Sequence, residues 1–323
     1  MELKPEIIDR INKLDEKYQA MGQNLSAYLD GLLYADYLTY WDYIHLDTLL
    51  SLQSPKTSFP DEQIFIMYHQ ITELHFRLCM VEFEQIADKK EISPEYFISR
   101  LGRINRYFEA LISSFDIMVD GMEVEQFLKF RMSLLPASGF QSGQYRMIEI
   151  CSTEFVNLVA PLEAANYCGT VTDSMIGGMY EHIYWKAGAT ELSTGKKTLT
   201  LEQFEKKYAD TFVALARKFR TRNLLSVYKS FTPEEQKNEK LIHALRLLDV
   251  NVNINWKLSH FKSAVRYLQK DPQDIAATGG TNWQKYLPPR FQRITFFPEL
   301  WTKEELDSWG KSWVKTTVFG VRA

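Results

Sequence analysis

No stretch of this sequence stays apolar for the roughly twenty residues that a membrane-spanning helix needs. An excess of one charge is also missing. Lys and Arg number 38 against 41 Asp and Glu, a formal net charge of −3, so there is no basic footprint for nucleic acid. Cysteine is scarce. Cys79, Cys151 and Cys168 stand at no metal-ligand spacing, which argues against a disulfide framework and fits reduced, structural thiols in a cytosol. The opening Met-Glu-Leu-Lys-Pro-Glu is charged and runs into an amphipathic pattern, unlike a secretory leader, so the expected location is cytoplasmic. Aromatics, by contrast, are plentiful, with 17 Tyr and 20 Phe. Most of these rings are expected to pack a helical core, for which the 45% hydrophobic content suffices.

Helical periodicity recurs along the chain. Ile7, Ile8, Ile11, Leu14 and Tyr18 mark one stripe over residues 5–22. Asp61 and Glu62 open a long helix with acidic residues in its first turn, as the helix dipole favours. Leu101, Ile104, Phe108 and Leu111 stripe a helix over 92–118. Three more helices are predicted at 201–219, 222–231 and 233–249, the last behind the capping pattern Thr232-Pro-Glu-Glu. Residues 152–200 say less, although Ser174 to Trp185 reads as helix. The tail around Phe296-Phe297-Pro298 reads as a packing segment followed by a helix to about residue 315.

The chemistry concentrates in Phe127 to Glu149. Phe127, Phe130, Arg131 and Leu134 fall at helical spacing on one face, and Pro136 and Ser138-Gly139 break the chain before a second amphipathic run begins at Phe140. One guanidinium on an aromatic face suits an aromatic ligand that carries a carboxylate. The same face is also compatible with Arg131 pairing an internal Glu or reaching solvent. Arg146 and Glu149, at i and i+3, are placed to pair with each other.

This segment, Phe-Arg followed by Leu-Pro-Ala-Ser-Gly-Phe-Gln-Ser and then Gln-x-Arg and Glu, resembles the signature of tryptophan 2,3-dioxygenases. Other regions resemble the family in the same order. They are Leu38-Thr-Tyr-Trp-Asp-Tyr43, Phe65-Ile-Met-Tyr-His69-Gln, Trp256-Lys-Leu-Ser-His260, and Ala276 to Leu287. The resemblance implies an all-α, bundle-like domain over residues 1–323 with haem held between helices. It implies haem b on His260 as the proximal iron ligand and His69 on the oxygen side, where it accepts the indole N–H. Phe65 and Phe127 would pack the substrate ring, Arg131 would take its carboxylate, and Thr278 would meet its ammonium. Residues 1–53 would reach a neighbouring subunit of a homotetramer, whose pocket Tyr40 and Tyr43 would line. The implied reaction is oxygen-dependent opening of the indole ring of L-tryptophan to N-formylkynurenine. The chain departs from the family pattern at Trp41, Ala277 and Trp283, where glycine is usual, and at His75, where tryptophan is usual. These departures leave open a hydroxylase of an indole or another aromatic amino acid on the same scaffold. A non-catalytic haem-binding helical protein is the reading from another class.

Overall fold

The computed structural model describes residues 3–35, 38–134, 141–167, 169, 171–190, 196–268 and 293–310. It divides into two compact units, Met1–Ser54 and Pro55–Ala323. Among the described residues there is no strand, only isolated bridges such as Val159 to Ile183. The all-α expectation is met.

The first unit contains α1 (Pro5–Ala20), α2 (Leu25–Tyr34), α3 (Tyr40–Tyr43) and α4 (Leu46–Leu50). Within these helices Leu25 is the one buried side chain. Leu32, Leu33, Tyr34, Tyr40, Trp41 and Tyr43 are all exposed. His45, at φ 52°, turns the chain between α3 and α4.

The second unit is built on α5 (Asp61–Asp88) and α6 (Pro94–Ser114), which pack along each other. Ser93 caps α6 through the Tyr96 N–H, with Pro94 at the first helical position. The predicted stripe Leu101, Ile104, Phe108 and Leu111 is wholly buried. Glu82 of α5 is buried as well and binds Arg100 and Arg103 of α6, each at 3.1 Å. The acidic start of α5 does more than face a dipole. Glu62 accepts the Lys56 and Thr57 N–H groups at 2.7 Å, and Asp61 accepts the Glu123 N–H at 2.6 Å.

The chain continues through α7 (Asp116–Asp120), α8 (Val124–Phe130) and α9 (Gly143–Ser152). Next come α10 (Pro161–Ala164), α11 (Ile176–Glu181), α12 (Leu199–Phe219), α13 (Leu224–Ser230), α14 (Pro233–Gln236), α15 (Glu239–Val250) and α16 (Trp256–Leu268). The helix predicted over 233–249 is therefore two helices. Asn238 accepts the Lys240 and Leu241 N–H groups and restarts the chain as α15, while the Thr232 capping box closes the front of α14. The 92–118 helix likewise breaks at Phe115. The predicted helix at 174–185 shrinks to α11 and a 3-10 turn over Tyr184–Ala189. Of the tail, the described part holds a 3-10 turn at Pro298–Leu300 and a short helix, Lys303–Asp307.

Between α15 and α16 lies a π-helical stretch, Asn251–Asn255. Its asparagines bond one another and the core: Asn251 to Asn105 at 3.2 Å, Asn253 to Asp249 at 2.9 Å, Asn255 to Asn251 at 3.2 Å. A π turn inserts a residue and rotates everything after it by about a hundred degrees. That rotation sets the face on which α16 carries His260. Asp249 closes the joint, accepting the Phe296 N–H at 2.7 Å, the Phe297 N–H at 3.1 Å and the Trp301 indole N–H at 2.9 Å.

Candidate active site

Two histidines use the same local device. His69 on α5 donates Nδ1–H to the Phe65 carbonyl at 2.7 Å, and His260 on α16 donates Nδ1–H to the Trp256 carbonyl at 3.0 Å. A carbonyl can only accept, so Nδ1 carries the proton and each Nε2 keeps its lone pair. Burial pushes both imidazoles below their ordinary range, His260 to about 4, and the nearby His69 charge lowers His260 further. Both are therefore neutral at pH 7 and close enough to feel each other. Yet His69 is exposed and His260 only half-buried by accessible surface. Each imidazole is therefore crowded by protein on one side and reached by solvent on the other, and we call the open side between them the recess.

Rings wall that recess. Phe65 stacks on His69 at 4.1 Å and meets Phe130 at 5.7 Å and Phe127 at 6.3 Å. Phe127 lies 4.5 Å from Tyr267 of α16. His260 is cupped by Phe115 at 4.5 Å and Trp256 at 4.4 Å. Trp256 in turn packs edge-on against Phe76 of α5 at 5.7 Å.

Arg131 opens a 3-10 turn, Arg131–Leu134, directly after α8. The α-helical face expected over Phe127 to Leu134 thus tightens after Phe130, but Phe127, Phe130 and Phe65 still cluster. The Arg131 side chain is 8% exposed, and burial lowers its pKa. The other predicted pair forms: Arg146 Nη1 meets Glu149 Oε2 at 2.7 Å inside the core. His75, the departure on α5, bonds its Nδ1 to the Ile71 carbonyl at 2.9 Å.

Helix α16 is bolted along residues 116–122. Lys262 reaches Asp116 at 3.1 Å, Ser263 the Met118 carbonyl at 3.1 Å, Arg266 the Val119 carbonyl at 3.0 Å, and Tyr267 the Met122 carbonyl at 3.3 Å. Sequence reasoning missed Phe115 and Tyr267 as wall residues. Tyr267 could have been found, because it follows His260 by seven residues, two turns along one face.

Of the residues expected in the site, the second unit brings together Phe65, His69 and Phe127, with His260 within electrostatic range of His69; Arg131 is buried and follows directly after Phe130, whose ring meets Phe65. Tyr40 and Tyr43 belong to the first unit and are 71% and 74% exposed there. Thr278, Ser138, Gly139, Ala277 and Trp283 lie outside the described residues. The donor set fits a haem. A neutral imidazole with a fixed Nδ1–H and a free Nε2 is the ligand form, and aromatic walls suit a flat macrocycle.

A family model for tryptophan 2,3-dioxygenase matches residues 31–154, the stretch that holds Tyr40, Tyr43, Phe65, His69, Phe127 and Arg131. A protein of Ruegeria sp. (strain TM1040) named tryptophan 2,3-dioxygenase is 28% identical over 274 residues, 83% of this chain and 92% of that protein. One of Bacillus thuringiensis subsp. konkukian (strain 97-27), named likewise, is 28% identical over 299 residues, 87% of this chain and 98% of its own length. A third, from Bradyrhizobium diazoefficiens, reaches 37% identity over 115 residues, 35% of this chain and 40% of that protein. Over residues 31–154 by the family model, and along most of its length by its relatives, the chain is similar to tryptophan 2,3-dioxygenases.

Proposed function

We propose that this protein is an oxidoreductase of tryptophan catabolism, a haem-dependent dioxygenase that opens the indole ring of L-tryptophan with O2 to give N-formylkynurenine. The observation that carries the reading is the pair of imidazoles, His69 and His260, each with Nδ1 locked to a carbonyl and each set among aromatic rings, within electrostatic range of each other. Bound haem b supplies the ferrous iron at which O2 is activated.

The chain's own residues bind and orient. His260 would hold the haem through Nε2, its imidazole ring flanked by Phe115 and Trp256. Phe65 and Phe127 pack the indole, and the His69 Nε2 lone pair accepts the indole N–H. Arg131 takes the substrate carboxylate in two parallel hydrogen bonds, and desolvation strengthens that pairing. Thr278 meets the ammonium group. Tyr40 and Tyr43 line the pocket of a neighbouring subunit in a homotetramer, which their exposure in the first unit supports.

The test is the absorption spectrum of the purified, reduced, haem-loaded protein in air, with and without L-tryptophan. A Soret band and growth of N-formylkynurenine are expected, with a product mass two oxygen atoms above the substrate. A gain of one oxygen would make it a hydroxylase. Bound haem without turnover would sink the enzymatic reading.

A further inference from the structure

One buried cation is not used by the proposed reaction. Lys257 lies on α16 one turn before His260, and its side chain is 7% exposed. Its Nζ has no hydrogen-bond partner among the described residues and sits 5.4 Å from the centre of the Tyr184 ring. Three charged groups act on it electrostatically: the Glu149 and Asp249 carboxylates, which are engaged elsewhere, and the Arg146 guanidinium, which opposes its charge. Glu149 accepts from Arg146 at 2.7 Å and from the Tyr184 hydroxyl. Asp249 accepts from Phe296, Phe297, Trp301 and Asn253. Burial brings the Lys257 ammonium down to about 8, so it remains protonated at neutral pH. Burying an ammonium without a hydrogen bond is costly, and replacement by an apolar side chain of similar length is commonly neutral or stabilising.

We infer that Lys257 is a positioning charge for the haem iron: an ammonium on the ligand's own helix that favours the ferrous state. The inference rests on the haem reading above. Reduction adds one electron's charge at the iron, and a fixed cation nearby in a medium of low dielectric favours that charge. The ferrous state is the one that binds O2, so Lys257 would hold the protein in its working state without touching substrate.

The test is a spectroelectrochemical titration of the haem-loaded protein and two variants. Lys257→Met should fold, because it removes a donor that satisfies nothing. Its midpoint potential should move negative, so that at a fixed potential the ferrous-to-ferric ratio falls about tenfold, the size of a single-charge effect across roughly two helical turns of protein at an effective dielectric constant of about 20. Glu149→Gln keeps an acceptor for Arg146 and Tyr184 but removes the opposing charge, and should move the potential positive. A purely structural role would move neither, or both in one direction. If Lys257→Met keeps its haem ligation spectrum and its potential is unchanged or more positive, the inference is overturned whatever Glu149→Gln does. A wild-type protein that holds no haem, or a His260→Ala variant with the wild-type ligation spectrum, would instead overturn the haem reading itself.

Discussion

The two walls of the recess begin from one device and end differently. On each, a histidine is locked to the carbonyl four residues earlier, with Nε2 left available. The α16 wall is then fixed from outside: four side chains bolt it to residues 116–122, and the asparagine π turn sets its rotation. The α5–α8 wall is tied at the start of α5, where Asp61 accepts the Glu123 N–H, and is packed further along by its own rings. It presents an exposed imidazole and a buried guanidinium at the start of a 3-10 turn. Rigid support behind one donor suits a permanently held group. A wall of packed rings with a desolvated cation suits a ligand that comes and goes.

The sharpest way to break that division of labour is to remove each imidazole in turn. His260→Ala is expected to abolish stoichiometric haem retention, read as loss of the Soret band after gel filtration. His69→Ala should keep the haem and lose turnover. If His69→Ala lost the haem and His260→Ala kept it, the walls would be assigned the wrong way round.

Next in size is Arg131. Arg131→Ala should weaken L-tryptophan binding by about 2–3 kcal/mol, roughly thirty- to more than a hundredfold in Kd, as for a charge-assisted pair in a dry pocket. Haem content should stay the same. Substrate titration of the Soret band reads both, and unchanged affinity would remove Arg131 from the substrate wall.

Proton linkage sharpens the comparison in the haem-free protein. The folded value of His260, about 4, lies below the ordinary imidazole value of 6.5. Above pH 6.5 both the folded and the unfolded imidazole are neutral and contribute no pH dependence. As pH falls from 6.5 towards 4, the unfolded chain takes up a proton that the folded chain refuses, so stability is lost. At about 1.4 kcal/mol per unit, that amounts to about 2 kcal/mol by pH 5. Urea melts at pH 7 and pH 5 should show the loss, and His260→Phe should remove most of it. His69 is pulled in the same direction but is exposed, so His69→Phe should change the pH dependence less.

How much of this was legible from the chain depended on the range of the forces involved. The α6 stripe could be read because an amphipathic period is local: Leu101, Ile104, Phe108 and Leu111 are buried as their spacing required. The Thr232 capping box was legible for the same reason. The split at Asn238 was not, because the apolar stripe of 233–249 hides a restart that the Asn238 side chain dictates. Nor was the π turn, where a run of asparagines is satisfied by Asn105, far away in sequence. In the site, the grouping of Phe127 with Phe130 followed from periodicity, whereas Phe65, on another helix, was placed with them by the family resemblance. The histidines did not follow from periodicity either. Spacing alone made His69 and His260 ordinary core residues, and only the family resemblance singled them out. The Arg146–Glu149 pair was visible at i and i+3, whereas Tyr184 and Lys257, which complete its surroundings, come from elements that only the fold brings together. Gly143 is a similar case, since a Cβ there would stand 2.7 Å from the Tyr208 ring of α12.

The smallest effect tests whether the bolts on α16 matter for the ligand rather than for the fold at large. Ser263→Ala removes one hydrogen bond to the Met118 carbonyl, and Tyr267→Phe one to the Met122 carbonyl. Each should cost about 1 kcal/mol, and the pair somewhat less than the sum if they hold the same stretch. In a protein of this size that lowers Tm by only a few degrees. The informative quantity is the haem dissociation rate. If the bolts hold the ligand wall in place, the double variant should release haem several times faster than a control of equal Tm loss on other helices, such as one built on Tyr228→Phe, which removes the α13 hydrogen bond to the Gln236 carbonyl. Equal release rates would mean that α16 is held by its packing on α5 and α6 alone, and that the contrast between the two walls lies only in their rings.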